Sequence, residues 1–308
     1  MMLLSNQLKE KKINNIKLDL HYCFDRIKII QNNDILYLPK EIQNIIIDYI
    51  DFSYIHTNES LKKLVEQCKT NNDYSCLKNI DTSCVTSIND LFRGHREFNE
   101  DINNWDVSNV VNMRITFAAC FNFNKPLNKW NVSKVINMER MFSECYSFNQ
   151  SLNDWDVSNV LYMNGMFNNC INFNQPLNKW IVSNVEDMGN MFERCHKFNQ
   201  ELNDWDVSNV IDMCDMFYTC YNFNKPLNKW NVSKVTSMTR MFYDCHEFNQ
   251  PLNNWAIQNT TGTSNMFNRC YELDQNFSEW IRNYEHFYSM FLCTPKMKKS
   301  NKPQISVS

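Results

Sequence analysis

Glycine and proline are scarce in this chain of 308 residues, which has only 4 glycines and 7 prolines. So low a content excludes a collagen-like chain, disfavours Pro/Gly-rich disorder and leaves little material for glycine-rich phosphate loops. A basic excess is missing too, because the formal net charge is −3. We therefore expect no nucleic-acid partner.

Long apolar segments are also missing. The chain has no run of about 18 apolar residues, so we expect no transmembrane helix and no membrane partner. The apolar stretch that opens the sequence is too short before its first charges to be a secretory signal. Together these features predict an intracellular, cytoplasmic protein.

Familiar catalytic motifs are absent as well. The sequence contains no G-x-S-x-G, no H-E-x-x-H, no Walker-type loop and no kinase motif set. None of its 13 cysteines forms a CxxC pair, and no Cys/His cluster has zinc-finger spacing. We expect no enzymatic activity, no cofactor and no metal.

What the chain has instead is a repeat. All eight tryptophans recur every 25 residues without an insertion: Trp105, Trp130, Trp155, Trp180, Trp205, Trp230, Trp255 and Trp280. Seven cysteines and two sets of phenylalanines keep the same period, in the unit L-N-x-W-x-V-S-x-V-x-x-M-x-x-M-F-x-x-C-x-x-F-N-x-x. A fixed period of this length is typical of a solenoid, in which each unit buries its apolar face against its neighbours.

Each unit contains two apolar patterns. Trp130 and Val132 alternate with polar neighbours, which predicts a short strand with the tryptophan on its buried side. The apolar residues from Val135 to Cys145 then follow at helical spacing. We therefore predict an α/β solenoid, a leucine-rich-repeat-like stack of about nine strand–helix units with a small, mostly helical N-terminal cap region.

Two further residue types repeat. Asparagines recur before the strand, as at Asn128, and after the last phenylalanine, as at Asn124. Their amides can form ladders between units and satisfy corner backbone groups. The repeated cysteines lie among the Met and Phe residues, so we interpret them as small buried hydrophobic residues.

The unit, with WDVSNV at Trp105, Trp155 and Trp205 and its MF-x-x-C-x-x-FNQ, resembles the BspA-like 25-residue leucine-rich repeat family. That family occurs in bacterial and mycoplasma surface proteins, protists and giant DNA viruses. The resemblance implies a leucine-rich-repeat-like solenoid with a protein-binding or structural role and no catalytic residues. The Asn, Ile and Lys bias suggests a very AT-rich genome, which fits a giant virus or a protist. If the protein is viral, we expect it in the host cytoplasm.

The ends of the chain depart from the repeat. We assign residues 1–76 to an N-terminal cap region, 77–293 to the repeats and 294–308 to a disordered tail. Residues 26–38 read as a β-hairpin, and residues 60–69 read as a helix. Between them, LPKEIQNIIIDYI at residues 38–50 is similar to the opening of an F-box. The region is therefore either a helical cap or, over residues 38–69, a binding module for a ubiquitin-ligase adaptor.

The residues beside each tryptophan form the most informative exposed rows. The residue before it alternates between Asp or Asn and Lys from unit to unit, so neighbouring charges attract. In the row after it, Ile181 interrupts Asp and Asn near the middle of the array. The hypothesis is a protein ligand that contacts Asp154, Asp156, Lys179, Ile181, Asp204 and Asp206. The alternative is a solvated face without a ligand.

Three functions follow from this reading. The first is a non-enzymatic protein–protein interaction scaffold that uses a concave sheet face. The second is an F-box-like substrate receptor of a ubiquitin ligase, and the third is a surface adhesin. Duplicated segments, such as the identical residues 122–135 and 222–235, suit a binding array better than an active site, which needs unique residues.

Overall fold

A computed structural model describes residues 56–280 and 289–302, which all belong to one compact unit, Ile55–Ser308. Regular secondary structure within them is sparse. It comprises the helix α1 (Asn58–Asn71) and two 3-10 helices, Ser75–Asn79 and Lys299–Asn301. The predicted helix at residues 60–69 is confirmed by α1. The predicted hairpin and the F-box-like stretch up to residue 50 lie outside the described residues.

Helix α1 has local reasons for both of its ends. Thr57 and Ser60 exchange side-chain and backbone hydrogen bonds in a capping box, which satisfies amide groups that the first turn leaves unpaired. Asn72 ends the helix in the left-handed conformation, with φ of 50°. The buried face of α1, formed by Leu61, Val65 and Cys68, joins the same hydrophobic core as the repeats. The helix α1 therefore shares one hydrophobic core with the stack of repeats.

The predicted strand–helix architecture is wrong. Among the described residues, the repeats contain no α-helix, and their only β structure is isolated parallel bridges. Each bridge joins equivalent residues of neighbouring repeats, from Ser87↔Asn112 to Ser237↔Gly262. The chain is a stack of repeats, as predicted. However, these repeats do not form the predicted α/β, leucine-rich-repeat-like architecture of a sheet with helices.

Each repeat is built from turns. In the repeat of Trp130, six backbone N–H groups donate to the carbonyl three residues earlier, at 2.9–3.1 Å: Trp130, Val135, Met141, Ser143, Cys145 and Phe148. Except in the turn from Arg140 to Ser143, the acceptors are themselves buried apolar residues, so both ends of each turn point into the core. The three-residue spacing of these ends also fits an amphipathic helix, which explains the incorrect helix prediction.

Left-handed residues keep these turns from joining into a helix. In the turn Met138–Met141 the third residue, Arg140, has φ of 51°, and in the turn Phe142–Cys145 the third residue, Glu144, has φ of 62°. A positive φ at the third position is the geometry of a type II turn. Because an α-helix needs negative φ throughout, the segment changes direction at both residues.

The predicted strand fails for a different reason. Trp130 and Val132 are buried while Lys129 and Asn131 are exposed, so the predicted alternation of burial is correct. However, the N–H of Trp130 and the carbonyl of Val132 are used in turns within the repeat. They are therefore not available to a ladder between repeats.

Main-chain hydrogen bonds between repeats come instead from the segment predicted as a helix. Alternate N–H groups of one repeat donate to the next at 2.7–3.0 Å: Met138 to Tyr162, Arg140 to Asn164, Phe142 to Met166 and Glu144 to Asn168. In the opposite direction, the N–H of Leu161 donates to the carbonyl of Ile136 at 2.9 Å. These bonds hold the repeats in register.

Aromatic rings continue this register through the core. Nine phenylalanines form one stack with ring centroids 5.5–5.7 Å apart: Phe92, Phe117, Phe142, Phe167, Phe192, Phe217, Phe242, Phe267 and Phe291. The nine rings match the predicted number of units. All eight tryptophans are also buried, at 3–4% exposure. Their predicted interior position is confirmed, although the parallel sheet behind it does not exist.

The asparagine ladder is confirmed. The side-chain oxygen of Asn124 accepts the N–H of Asn149 at 3.0 Å, and Asn149 accepts the N–H of Asn174 at 2.9 Å. The same bond recurs up to Asp274, whose N–H donates to Asn249. Each amide thus pairs a backbone group that would otherwise be orphaned at the corner.

The last repeat is one residue shorter than the others. Phe291 stacks on Phe267, only 24 residues earlier, at 5.5 Å. Residues 294–302, assigned from sequence to a disordered tail, instead continue the stack: Thr294 and Met297 are buried, and Phe277 donates its N–H to Asn301 at 2.8 Å. The apolar turn pattern therefore extends further than the tryptophan repeat.

Candidate functional site

All six residues of the predicted binding site are exposed. Asp154, Lys179 and Asp204 each precede a buried tryptophan, whereas Asp156, Ile181 and Asp206 each follow one. They lie on turns, so the concave sheet face expected to carry them does not exist. We call the two rows of residues on either side of the tryptophans the Trp-flanking rows.

Charges in the row before tryptophan pair with one another. Lys179 Nζ lies 2.7 Å from Asp154 Oδ1, and Lys229 Nζ lies 2.7 Å from Asp204 Oδ1. This agrees with the attraction expected from the alternating signs. Because these side chains are largely exposed, each pair stabilises the fold by at most about 1 kcal/mol. The pairs therefore remain open to competition from a charged ligand.

The aspartates after tryptophan serve their own turns. Asp156 Oδ1 accepts the N–H of Ser158 at 3.1 Å and its hydroxyl at 2.6 Å. These hydrogen bonds lower the pKa of Asp156. Asp206 accepts the N–H of Ser208 in the same way, at 3.1 Å. Such Asx turns explain why this row carries Asp or Asn, the two residue types that make them.

Ile181 breaks the row. Its side chain has no acceptor for the N–H of Ser183, so this repeat lacks the Asx turn. It is 61% exposed, the highest value among the large hydrophobic residues in the described part of the chain. Asp156 and Asp206 occupy its position in the adjacent repeats. An exposed isoleucine is therefore set between two carboxylates.

Sequence reasoning missed a second exposed surface. Four apolar residues lie six positions after a tryptophan and form what we call the apolar row: Val111, Ile136 and Ile211, which are exposed, and Leu161, which is half-buried. Ile136 and Ile211 are 44% and 48% exposed. The signal was present, since each follows a core valine directly, but an amphipathic-helix interpretation gives no reason to expect apolar side chains on the surface here. Glu186 interrupts the row between Leu161 and Ile211.

A row of rings follows the repeated cysteines, and it was also missed. His196, Tyr221, His246 and Tyr271 stack with centroids 4.6–4.9 Å apart. The rings cover one another along the stack, so they stabilise contacts between repeats. His196 and His246 are half-buried within this row.

The repeated cysteines are buried in the core. Their thiols donate to the carbonyl of a phenylalanine 28 residues earlier, as from Cys170 to Phe142 at 3.0 Å. Burial raises the pKa of the Cys170 thiol. The prediction of buried thiols is confirmed, and the hydrogen bond adds a reason for cysteine that packing alone does not give.

Two findings concern other kinds of site. Over residues 56–280 and 289–302, no group of three or more His, Cys, Asp or Glu side chains is placed to hold a metal ion. Within the same ranges, no helix combines the length and apolar character that crossing a membrane requires.

A depression of about 170 Å³ lies at the Trp-flanking rows, between Asp204, Trp205 and Lys229.

Comparison with known proteins gives one family. The family model described as "Mycoplasma protein of unknown function, DUF285" matches residues 59–175, 134–222 and 200–303. The three overlapping matches together span well over half of the chain, and they agree with the BspA-like repeat resemblance. They do not bear on an F-box or on a viral source. No curated protein matches the chain.

Proposed function

This chain belongs to the DUF285 family, and we propose that it is a non-enzymatic scaffold that binds a protein ligand through its Trp-flanking rows. The ligand contacts Asp154, Asp156, Lys179, Ile181, Asp204 and Asp206. The proposal includes a cytoplasmic location and excludes nucleic acid and membranes as partners.

The exposure of Ile181 carries this proposal. Burying an isoleucine side chain against a partner is favourable by about 1.5–3 kcal/mol. Binding energy concentrates in such central residues when polar groups surround them and exclude water. Asp156 and Asp206 supply those polar groups in the adjacent repeats. Asp in place of Ile181 would complete the Asx turn, so isoleucine here is locally the less favourable residue.

The repeat itself favours binding over catalysis. Asp154 and Lys179 recur as Asp204 and Lys229, 50 residues later, with the same 2.7 Å ion pair. Duplicated rows of this kind extend a contact surface, whereas catalysis needs a unique constellation of groups.

The test is the substitution Ile181→Asp, compared with wild type in affinity purification from the native host followed by quantitative mass spectrometry. Aspartate at this position restores the Asx turn, so folding is preserved, and it replaces the apolar contact with a third carboxylate between Asp156 and Asp206. We expect recovery of the specific partner to fall at least tenfold, since loss of a central contact costs more than about 1.4 kcal/mol.

A control variant and a combined variant locate the contact. Ile211→Asp makes the same change in the apolar row and should leave recovery unchanged. Asp156→Asn with Asp206→Asn removes two charges and keeps the turns, as Asn131 and Asn231 do, and should weaken recovery further in combination with Ile181→Asp. Equal recovery by wild type and Ile181→Asp would reject the Trp-flanking rows as the binding surface.

A further inference from the structure

Two thiols outside the repeat pattern lie in contact. Cys68 is on α1 and Cys76 is on the 3-10 helix Ser75–Asn79, and their sulfur atoms are 3.3 Å apart. Cys68 is buried, whereas Cys76 is exposed. The sulfur of Cys76 is therefore reachable from solvent, and it contacts the buried sulfur of Cys68.

Separate contacts hold each of the two elements in place. The side-chain oxygen of Asn58, at the start of α1, accepts the N–H groups of Thr86 and Ser87 at 2.9 and 3.2 Å. Leu77, next to Cys76, is buried and accepts the indole N–H of Trp105 at 2.8 Å. Since both anchors belong to the repeat stack, the two sulfurs are presented to each other without a loop having to close.

The other cysteines of the described residues differ from this pair. The repeated thiols are buried and donate to backbone carbonyls. Cys214 donates to a carboxylate, Asp215, at 3.3 Å. Cys293 is exposed. Of the sulfur–sulfur contacts in the described part of the chain, Cys68–Cys76 is the one within hydrogen-bond distance.

We propose that Cys68 and Cys76 form a reversible disulfide-forming site for a low-molecular-weight disulfide such as oxidised glutathione. The Cys76 thiol loses its proton to solvent, and its sulfur attacks one sulfur of the glutathione disulfide. The glutathione S–S bond breaks, one glutathione thiolate leaves, and a mixed disulfide forms on Cys76.

The second step joins the two protein sulfurs. The Cys68 thiol loses its proton to solvent, and its sulfur attacks the sulfur of Cys76. The mixed disulfide breaks and releases the second glutathione as a thiolate. Two protein thiols are thus oxidised by two electrons, and one glutathione disulfide is reduced to two thiols. Burial raises the pKa of the Cys68 thiol, so Cys68 attacks as the slower, resolving partner.

The bond would fasten α1 to the segment that enters the first repeat. Since Leu61 and Val65 of α1 cover the core at this end of the stack, the disulfide would lock that cover in place. The site is independent of the Trp-flanking rows, so its failure would leave the proposed binding function untouched.

The experiment uses the full chain equilibrated with glutathione buffers from reducing to oxidising, then quenched in acid. Trypsin cleaves after Lys69 and Lys78, which places Cys68 in LVEQCK and Cys76 in TNNDYSCLK. We expect non-reducing mass spectrometry to find these two peptides linked in the oxidised sample and separate after reduction.

Three variants distinguish a disulfide between Cys68 and Cys76 from unspecific oxidation of the cysteines. Cys76→Ser should abolish the linked peptide, Cys68→Ser should leave a stable glutathione adduct on the Cys76 peptide, and Cys293→Ser should leave the link intact. A wild-type protein that carries only the glutathione adduct on Cys76, with no linked peptide at the most oxidising ratio, would overturn the proposal. So would cross-linking of Cys76 to several cysteines without preference.

Discussion

The indole N–H of Trp180 donates a 2.8 Å hydrogen bond to the backbone carbonyl of Leu152, 28 residues earlier in the chain. The same bond recurs in neighbouring repeats, as from Trp155 to Leu127 and from Trp205 to Leu177. Tryptophan therefore joins successive repeats by a directed contact as well as by packing. This accounts for tryptophan at the seven positions from Trp105 to Trp255, because phenylalanine has no such donor. The buried indole nitrogen of Trp280 has no hydrogen-bond partner in the described part of the chain.

Trp180→Phe should test that bond, because the substitution keeps an aromatic ring and removes the donor. The Leu152 carbonyl then loses its partner in a buried site, at a cost of about 1–3 kcal/mol. Trp180→Ala should cost more, about 3–5 kcal/mol, since it also leaves a cavity. Urea unfolding followed by circular dichroism measures both. If Trp180→Phe unfolds at the wild-type midpoint, the hydrogen bond contributes nothing.

The repeated thiols should resist alkylation in the folded protein. Burial raises the pKa of Cys170 and of its equivalents, so the reactive thiolate is depleted at pH 8. The exposed Cys293 should react with iodoacetamide at once, and Cys170 only after unfolding in urea. Peptide mass spectrometry of pulse-labelled protein follows each site. Labelling of Cys170 in the native state as fast as Cys293 would contradict this assignment.

Asp187→Asn should stabilise the protein at neutral pH. Burial, mainly, and the neighbouring Asp212 raise the pKa of Asp187 in the folded state. A raised carboxyl pKa means that stability is lost as pH rises from the unfolded value, about 3.9, through the folded one. Asparagine avoids that loss and still accepts the N–H of Gly189, as Asp187 does at 2.9 Å.

The urea midpoint of Asp187→Asn should therefore exceed that of wild type at pH 7, and the two should converge below about pH 4. Asp212→Asn, in the same row, serves as the comparison variant. A midpoint that is lower for Asp187→Asn at both pH values would show that the carboxylate is stabilising in the fold.

Gly165→Ala should destabilise the stack by about 1 kcal/mol or more, since Gly165 has φ of 58°. An added Cβ would also lie 3.0 Å from Cγ of Arg140 in the preceding repeat. Gly94→Ala is the matched variant, because Gly94 has φ of 72° and nothing within 4 Å of the added Cβ. Thermal unfolding should show the larger loss for Gly165→Ala, and Arg140→Ala should remove the difference. Equal losses of stability at both glycines would show that backbone strain alone, without the contact to Arg140, destabilises the two variants.

The candidate site was partly predictable. Exposure beside each tryptophan follows from alternation around a buried ring, and the pairing of Asp154 with Lys179 follows from charges that alternate at a fixed period. The turn role of Asp156 could not be predicted, because it depends on a serine N–H two residues later being oriented by a turn. The apolar row was missed for the same reason: its exposure depends on the backbone path.

Sequence alone determined the repeat, its register and the identity of the buried side chains, because a side chain repeated at one period must meet its own copies when units stack. It did not determine the backbone conformation. Apolar residues three apart, such as Val135, Met138 and Met141, fit a helix and a series of turns equally well. A helix would satisfy its N–H groups internally, whereas here the N–H of Met138 donates to Tyr162 in the next repeat at 3.0 Å. Only the neighbouring repeat supplies that acceptor, so the choice between helix and turns belongs to the tertiary structure.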